Sequence, residues 1–181
     1  MSTFVIWILV AGGVLLLLGI YLSWTAGRLD RLHARVDASR AVLDAELLRR
    51  SASALELATS NLLDPATSVV IADAASRART VDEDGRHQAE SDLTAVLGAA
   101  LDEPEELAVW RDEEPELAEA LGELGMACRR AAHARRFHNE LVRGAQRLRR
   151  KLLVRWLRLA GHAPWPEPVE LDDTVPRAFN G

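Results

Sequence analysis

Hydrophobic and polar positions divide the chain into two regimes. From Phe4 to Ala26 no residue is charged, and Val5, Ile6, Ile8, Leu9, Val10, Val14, Leu15 to Leu18, Ile20 and Leu22 make the run strongly apolar. At about 1.5 Å per residue it extends roughly 34 Å, enough to cross a hydrocarbon core of about 30 Å. Trp7 lies near one end, Tyr21 and Trp24 near the other, where amphipathic rings favour the headgroup boundary. The pattern predicts a transmembrane helix over 4–26 behind a short external tail, 1–3. A cleaved signal peptide is the competing reading. It would call for a basic start, a shorter apolar run and small residues at its end. Met1, Ser2 and Thr3 carry no side-chain charge, and Trp24 stands where a small residue is wanted. Arg28, Arg31 and Arg35 follow the run, so the positive-inside rule predicts a cytoplasmic domain.

Beyond Ala26 the period changes. Leu29, Leu32, Val36, Leu43, Leu47, Ala54 and Ala58 recur at steps of three, four and their multiples, predicting an amphipathic helix that continues from the membrane to about Asn61. Asp64-Pro65 reads as a helix start, because Asp caps free amides and Pro fits the first turn. A second helix is predicted from about Pro65 to Arg79, then a turn at Asp82-Glu83-Asp84-Gly85 and a third helix from about Arg86 to Leu101. Glu103-Pro104 and Glu114-Pro115 look like fresh starts, with a short helix or ordered turn between them. From Pro115 the series Leu117, Leu121, Leu124, Cys128, Ala131, His138, Val142, Ala145, Leu152, Trp156 predicts one helix of about forty residues, straight or slightly bent at Gly122, Gly125 or Gly144. Pro164, Pro166, Pro168 and Pro176 make 161–181 an extended, partly mobile tail. The expected fold is all-α: one N-terminal transmembrane helix, then over 27–160 an antiparallel bundle of three to five helices with one long C-terminal helix.

Composition sharpens this picture. Aromatic residues are only 5% of the chain against 49% hydrophobic, a mix that favours helices over sheets. The single cysteine, Cys128, excludes an internal disulfide and falls among small residues at helical spacing, as a core position would. Charge is segregated along the chain. From Arg129 to Arg158 only Glu140 opposes eleven basic side chains, whereas acidic residues dominate between Asp82 and Glu123. Arg143, Arg147, Arg149, Arg150, Lys151, Arg155 and Arg158 are therefore the candidates for contact with an anionic surface, lipid headgroups foremost. The structural alternative is that these charges complement a helix dipole and pair with neighbouring helices. Nucleic acid is disfavoured by a net charge of −5 and by the lack of a stacking platform or recognised module.

The order of signals resembles the LemA family. The carrying residues are Val36-Asp37, Leu43-Asp44, Leu47 and Arg49-Arg50 after the anchor, then Glu90-Ser91-Asp92-Leu93. Ala134-Arg135 with His138-Asn139 and Val142, and the closing Trp165-Pro166-Glu167-Pro168-Val169-Glu170, complete the likeness. Arg40 stands where the family has Trp and His138 where it has Tyr, which marks a divergent member. The resemblance implies one membrane span, a cytoplasmic helical bundle and an unsettled biochemical role.

No residue pattern points to catalysis. His33, His87, His133, His138 and His162 form no HExxH motif, and no nucleophile elbow or Gly-rich phosphate loop is present. No cofactor or metal is expected. His138 and Asn139 are the one candidate polar pair, with a structural hydrogen bond as their expected role. The chain thus reads as a single-pass cell-membrane protein, non-enzymatic, whose bundle or coiled-coil surface serves as a scaffold for protein partners. The alternatives are an enzyme accessory subunit or small-ligand-binding bundle, and an anionic-lipid sensor. Gly19, Ser23 and Gly27 form a small-residue row compatible with homo-oligomers.

Overall fold

A computed structural model describes residues 2–101, 114–156, 163–176 and 179. The expected short helix between Glu103 and Glu114 lies almost wholly outside them. All regular structure among the described residues is helical: α1 Ser2–Thr59, α2 Pro65–Thr80, α3 Glu83–Leu101, α4 Pro115–Arg149 and α5 Leu152–Trp156.

Helix α1 contains no proline, and its first part is long and apolar enough to cross a membrane. Phe4, Trp7, Leu9 and Leu15 to Leu17 are each about two-thirds exposed, so nothing among the described residues covers this stretch. At the other end the Thr59 and Ser60 hydroxyls turn back onto the carbonyls of Leu55 and Leu57, and Asn61 adopts φ 61°. Asn tolerates this left-handed conformation better than most residues, and it stops the helix. Asp64 then caps α2 as its position before Pro65 predicts, its Oδ1 accepting from the amides of Ala66 (3.0 Å) and Thr67 (3.1 Å). A bond from the Thr67 hydroxyl, followed by those from the Thr67 and Ala66 amides, holds its carboxyl below the ordinary value.

Two expectations need correction. Glu83 to Gly85 form the first turn of α3 instead of a separate turn, so only Val81 and Asp82 link α2 to α3. The last long helix also does not reach Trp156. It stops at Arg149, with Lys151 N donating to Leu148 O in a tightened turn before α5 begins. Arg147, Arg149, Arg150 and Lys151 crowd like charges into that turn. An unbroken helix would also set Leu148 and Val154 about 120° apart around its axis; the break lets both enter one apolar cluster with Leu29.

The chain divides into two compact units. Unit 1 comprises Met1–Ala38 and Glu140–Glu167; unit 2 comprises Ser39–Asn139 and Pro168–Gly181. In unit 1, Val36 clusters with Val142 and Ala145, and Leu29 with Leu148 and Val154. α4 there runs in the opposite direction to α1. In unit 2 one core draws Ala54 and Leu57 from α1, Ile71 and Ala75 from α2, Leu93 and Leu97 from α3, and Leu121, Leu124 and Cys128 from α4. Each fully buried Leu or Ile among these contributes roughly 1.5–3 kcal/mol, and each Ala much less. The described part of the tail has no regular structure apart from a 3-10 turn at Phe179, yet Val169 and Phe179 are buried in unit 2. Gly125 makes that packing possible, because a methyl group there would lie 3.0 Å from the Phe179 ring.

Candidate functional site

Charge follows the two units. Unit 1 holds ten basic and four acidic residues, a net +6, and unit 2 holds 12 and 23, a net −11. The two differ in how that charge is used. In unit 2, Arg40, Arg49, Arg50, Arg77, Arg86 and Arg135 each sit in ion-pair contact with a carboxylate. In unit 1, among the described residues, Arg31, Arg35, Arg143, Arg147, Arg150, Lys151 and Arg155 have no carboxylate in ion-pair contact.

Most of the sequence-predicted basic candidates are accordingly available to solvent: Arg143, Arg147, Arg150, Lys151 and Arg155 are exposed. Arg149 is different. Its guanidinium donates to the carbonyls of Ala163 (2.8 Å) and Pro164 and lies 5.1 Å from the centre of the Trp165 ring. Gln146 adds a 2.9 Å bond to the Pro166 carbonyl. Arg149 thus straps 163–166 onto the end of α4, and Arg150 stands 6.0 Å from the same ring. Arg158 lies outside the described residues. The end of α5 presents Trp156 with 85% of its surface exposed, and Trp24 on α1 is 58% exposed beside Arg28.

The candidate polar pair is buried in unit 2. His138 Nδ1 shares a 2.9 Å hydrogen bond with Ser39 Oγ. Asn139 holds the tail's backbone at two points, donating from Nδ2 to Val169 O (3.0 Å) and accepting from Val169 N (2.8 Å). Both residues therefore hold structure together. A cleft of about 290 Å³ in unit 2 is lined by Ser53, Glu56, Leu57, Ser60, Glu116, Glu119, Ala120 and Glu123. Neither His138 nor Asn139 lines it, so the pair does not serve this cleft as a ligand site.

Sequence reasoning missed a second polar centre. Arg50 and Glu90, 2% and 1% exposed, form an ion pair at 2.5 Å. Arg50 also donates to the Glu90 carbonyl (2.7 Å) and to Thr94 Oγ1 (2.9 Å), and Thr94 donates to the carbonyl of Asp172 in the tail (2.7 Å). Burial pushes the Glu90 carboxyl above its ordinary value, against the pull of Arg50 and Arg86. Arg135 grips Asp173 through two bonds, at 2.6 and 2.7 Å, and Ser91 accepts from Asp172 N. The Asp172 carboxyl is held below its ordinary value by the hydroxyl and amide of Thr174. Thr94 and Ser91 thus satisfy the backbone of Asp172, while Arg135 holds the tail through the Asp173 side chain.

No family model, curated protein or solved structure matches the chain.

Proposed function

We propose that the protein is a single-pass membrane-anchored scaffold, LemA-like in plan, whose antiparallel helical bundle presents its surface to protein partners in the cytoplasm. The observation that carries this reading is the division of labour along α1. Its first part, Phe4 to Tyr21, is apolar and exposed, whereas from Leu43 onward the same helix buries Leu43, Leu47, Ala54 and Leu57 in apolar clusters. An aqueous protein rarely exposes a contiguous apolar surface of that size, and a lipid environment accounts for it. The basic residues that follow the apolar run supply the orientation. Ser39, His138 and Asn139 are committed to internal hydrogen bonds, which favours a structural over a catalytic use of the bundle.

Outward-facing apolar side chains in unit 2 are the natural places for partner contact: Val69 and Val70 on α2 are 68% and 53% exposed, and Phe137 on α4 is 58% exposed. A photo-crosslinking amino acid introduced at Val69 or Phe137 of the full-length protein in cells is expected to give discrete adducts. The same probe at Glu123 in the acidic cleft serves as the comparison. Absence of adducts from all three positions would contradict the scaffold reading.

A further inference from the structure

We propose that the basic end of unit 1, formed by Arg28 and Arg31 of α1 with Arg147, Arg150, Lys151 and Arg155 around the α4–α5 break, binds anionic lipid headgroups as a collar around the membrane exit. The inference rests on the reading of α1 as a membrane anchor and adds to it a lipid class and a binding surface.

Depth is the first support. If the hydrocarbon edge lies at Ala26, Leu29 stands about 4.5 Å beyond it along the helix. The headgroup layer on one side of a bilayer is roughly 5–7 Å deep. Leu148 and Val154 pack against Leu29, so the residues flanking them lie at headgroup depth. Val36, which clusters with Val142, is about 15 Å past the edge, so neighbouring Arg143 is more remote.

Pairing is the second support. If the cluster served only internal stability, its guanidinium groups would meet carboxylates, as those of unit 2 do at Asp44, Glu46, Asp73, Glu90 and Asp173. Arg31, Arg147, Arg150, Lys151 and Arg155 meet none among the described residues. Lipid phosphates are the anions that the bilayer itself brings to this depth.

The aromatic residues are the third. Trp156, 85% exposed, follows Arg155 directly, and Trp24 flanks Arg28 from the membrane side. An indole in water gains nothing from such exposure, whereas at the headgroup boundary its ring is buried and its N–H is hydrogen-bonded. The break after Arg149 has a function in this arrangement. It turns α5 so that Val154 anchors on Leu29 while Arg155 and Trp156 remain on the outside.

The test uses the full-length protein reconstituted in phosphatidylcholine bilayers containing about 30 mol% phosphatidylglycerol, with spin-labelled lipids reporting the shell around the protein. Alkaline extraction on the same samples reports insertion. The wild type is expected to resist extraction and to select phosphatidylglycerol over phosphatidylcholine by about fivefold or more, the worth of roughly one well-placed basic residue. Raising the salt should reduce that preference. R147Q/R150Q/K151Q/R155Q should bring the ratio close to one with insertion and helicity unchanged. R147K/R150K/R155K should retain it, and R136Q, an exposed change in unit 2, should not alter it. An inserted wild type with a ratio near one overturns the collar, even if the protein self-associates through its acidic unit instead. A quadruple variant with wild-type selectivity overturns it equally. Extraction of the wild type at alkaline pH would overturn the anchor reading, and the collar with it.

Discussion

Arg50→Ala is expected to destabilise unit 2 by about 3–5 kcal/mol, because it leaves Glu90 buried without its cation. The Glu90 carboxylate loses its cation, and the Glu90 carbonyl and Thr94 Oγ1 each lose the bond from Arg50. Thr94 also holds the tail through Asp172, so docking of the tail should weaken as well. The native pair is not itself a large source of stability. Both charges are desolvated, and burial already raises the Glu90 carboxyl above its ordinary value. The double replacement R50M/E90L, which fills the same space with apolar atoms, should therefore recover most of the loss. Chemical unfolding of the detergent-solubilised full chain, followed by circular dichroism, measures both variants.

The same experiment has a pH signature. With Arg50 gone, desolvation acts on Glu90 with less opposition, so the folded-state value rises further above the ordinary 4.5. A raised folded-state value means that the folded protein binds the proton more tightly than the unfolded chain does. Stability of the variant is then highest below pH 4.5 and falls as pH rises through the folded-state value. An Arg50→Ala protein equal in stability to the wild type at neutral pH would show that Glu90 does not depend on Arg50 for its burial.

Much of the fold was legible in the sequence, because the apolar step size is a direct consequence of helical geometry. The Asp64-Pro65 start and the 4–26 run needed no tertiary information. Arg50 and Glu90 were harder. Arg50 falls three residues after Leu47 and four before Ala54, and Glu90 three before Leu93, so each occupies a core-facing step in its own helix. Two opposite charges at inward positions are a usable signal for a buried pair. Local periodicity cannot say that the two helices bring them together. The docking of the extended tail was not legible for a related reason. Its prolines exclude a helix, but they do not exclude docking, which depends on Asn139, Thr94 and Arg135 from distant parts of the chain. The break at Arg150 was likewise invisible to a search for Gly and Pro, since it arises from charge crowding and the packing of Val154.

Leu15→Arg, at the centre of the apolar run, is the second large expected effect. Exchanging Leu for Arg in the middle of a membrane helix costs about 3–4 kcal/mol of insertion free energy. L15R/L16R should roughly double that cost and shift a substantial fraction of the protein from the membrane to the soluble or degraded pool. Val42→Arg, an exposed change farther along α1 and outside the apolar run, should leave fractionation unchanged. Quantitative immunoblotting after alkaline extraction separates the cases. If L15R/L16R stayed wholly in the membrane pellet, the apolar run would not be what holds the protein there.

The central claim is that α1 spans a membrane, with the N-terminal tail outside and the helical domain on the cytoplasmic face. Cysteine accessibility in intact cells tests this most directly. With Cys128 replaced by alanine, a single cysteine is placed either at Ser2 or at Ser76, which is exposed on α2, and a membrane-impermeant maleimide is applied. The predicted result is labelling of the Ser2 position from outside, and of the Ser76 position only after permeabilisation. Labelling of the Ser76 position in intact cells, or recovery of a shortened chain that has lost the Ser2 position, would contradict it.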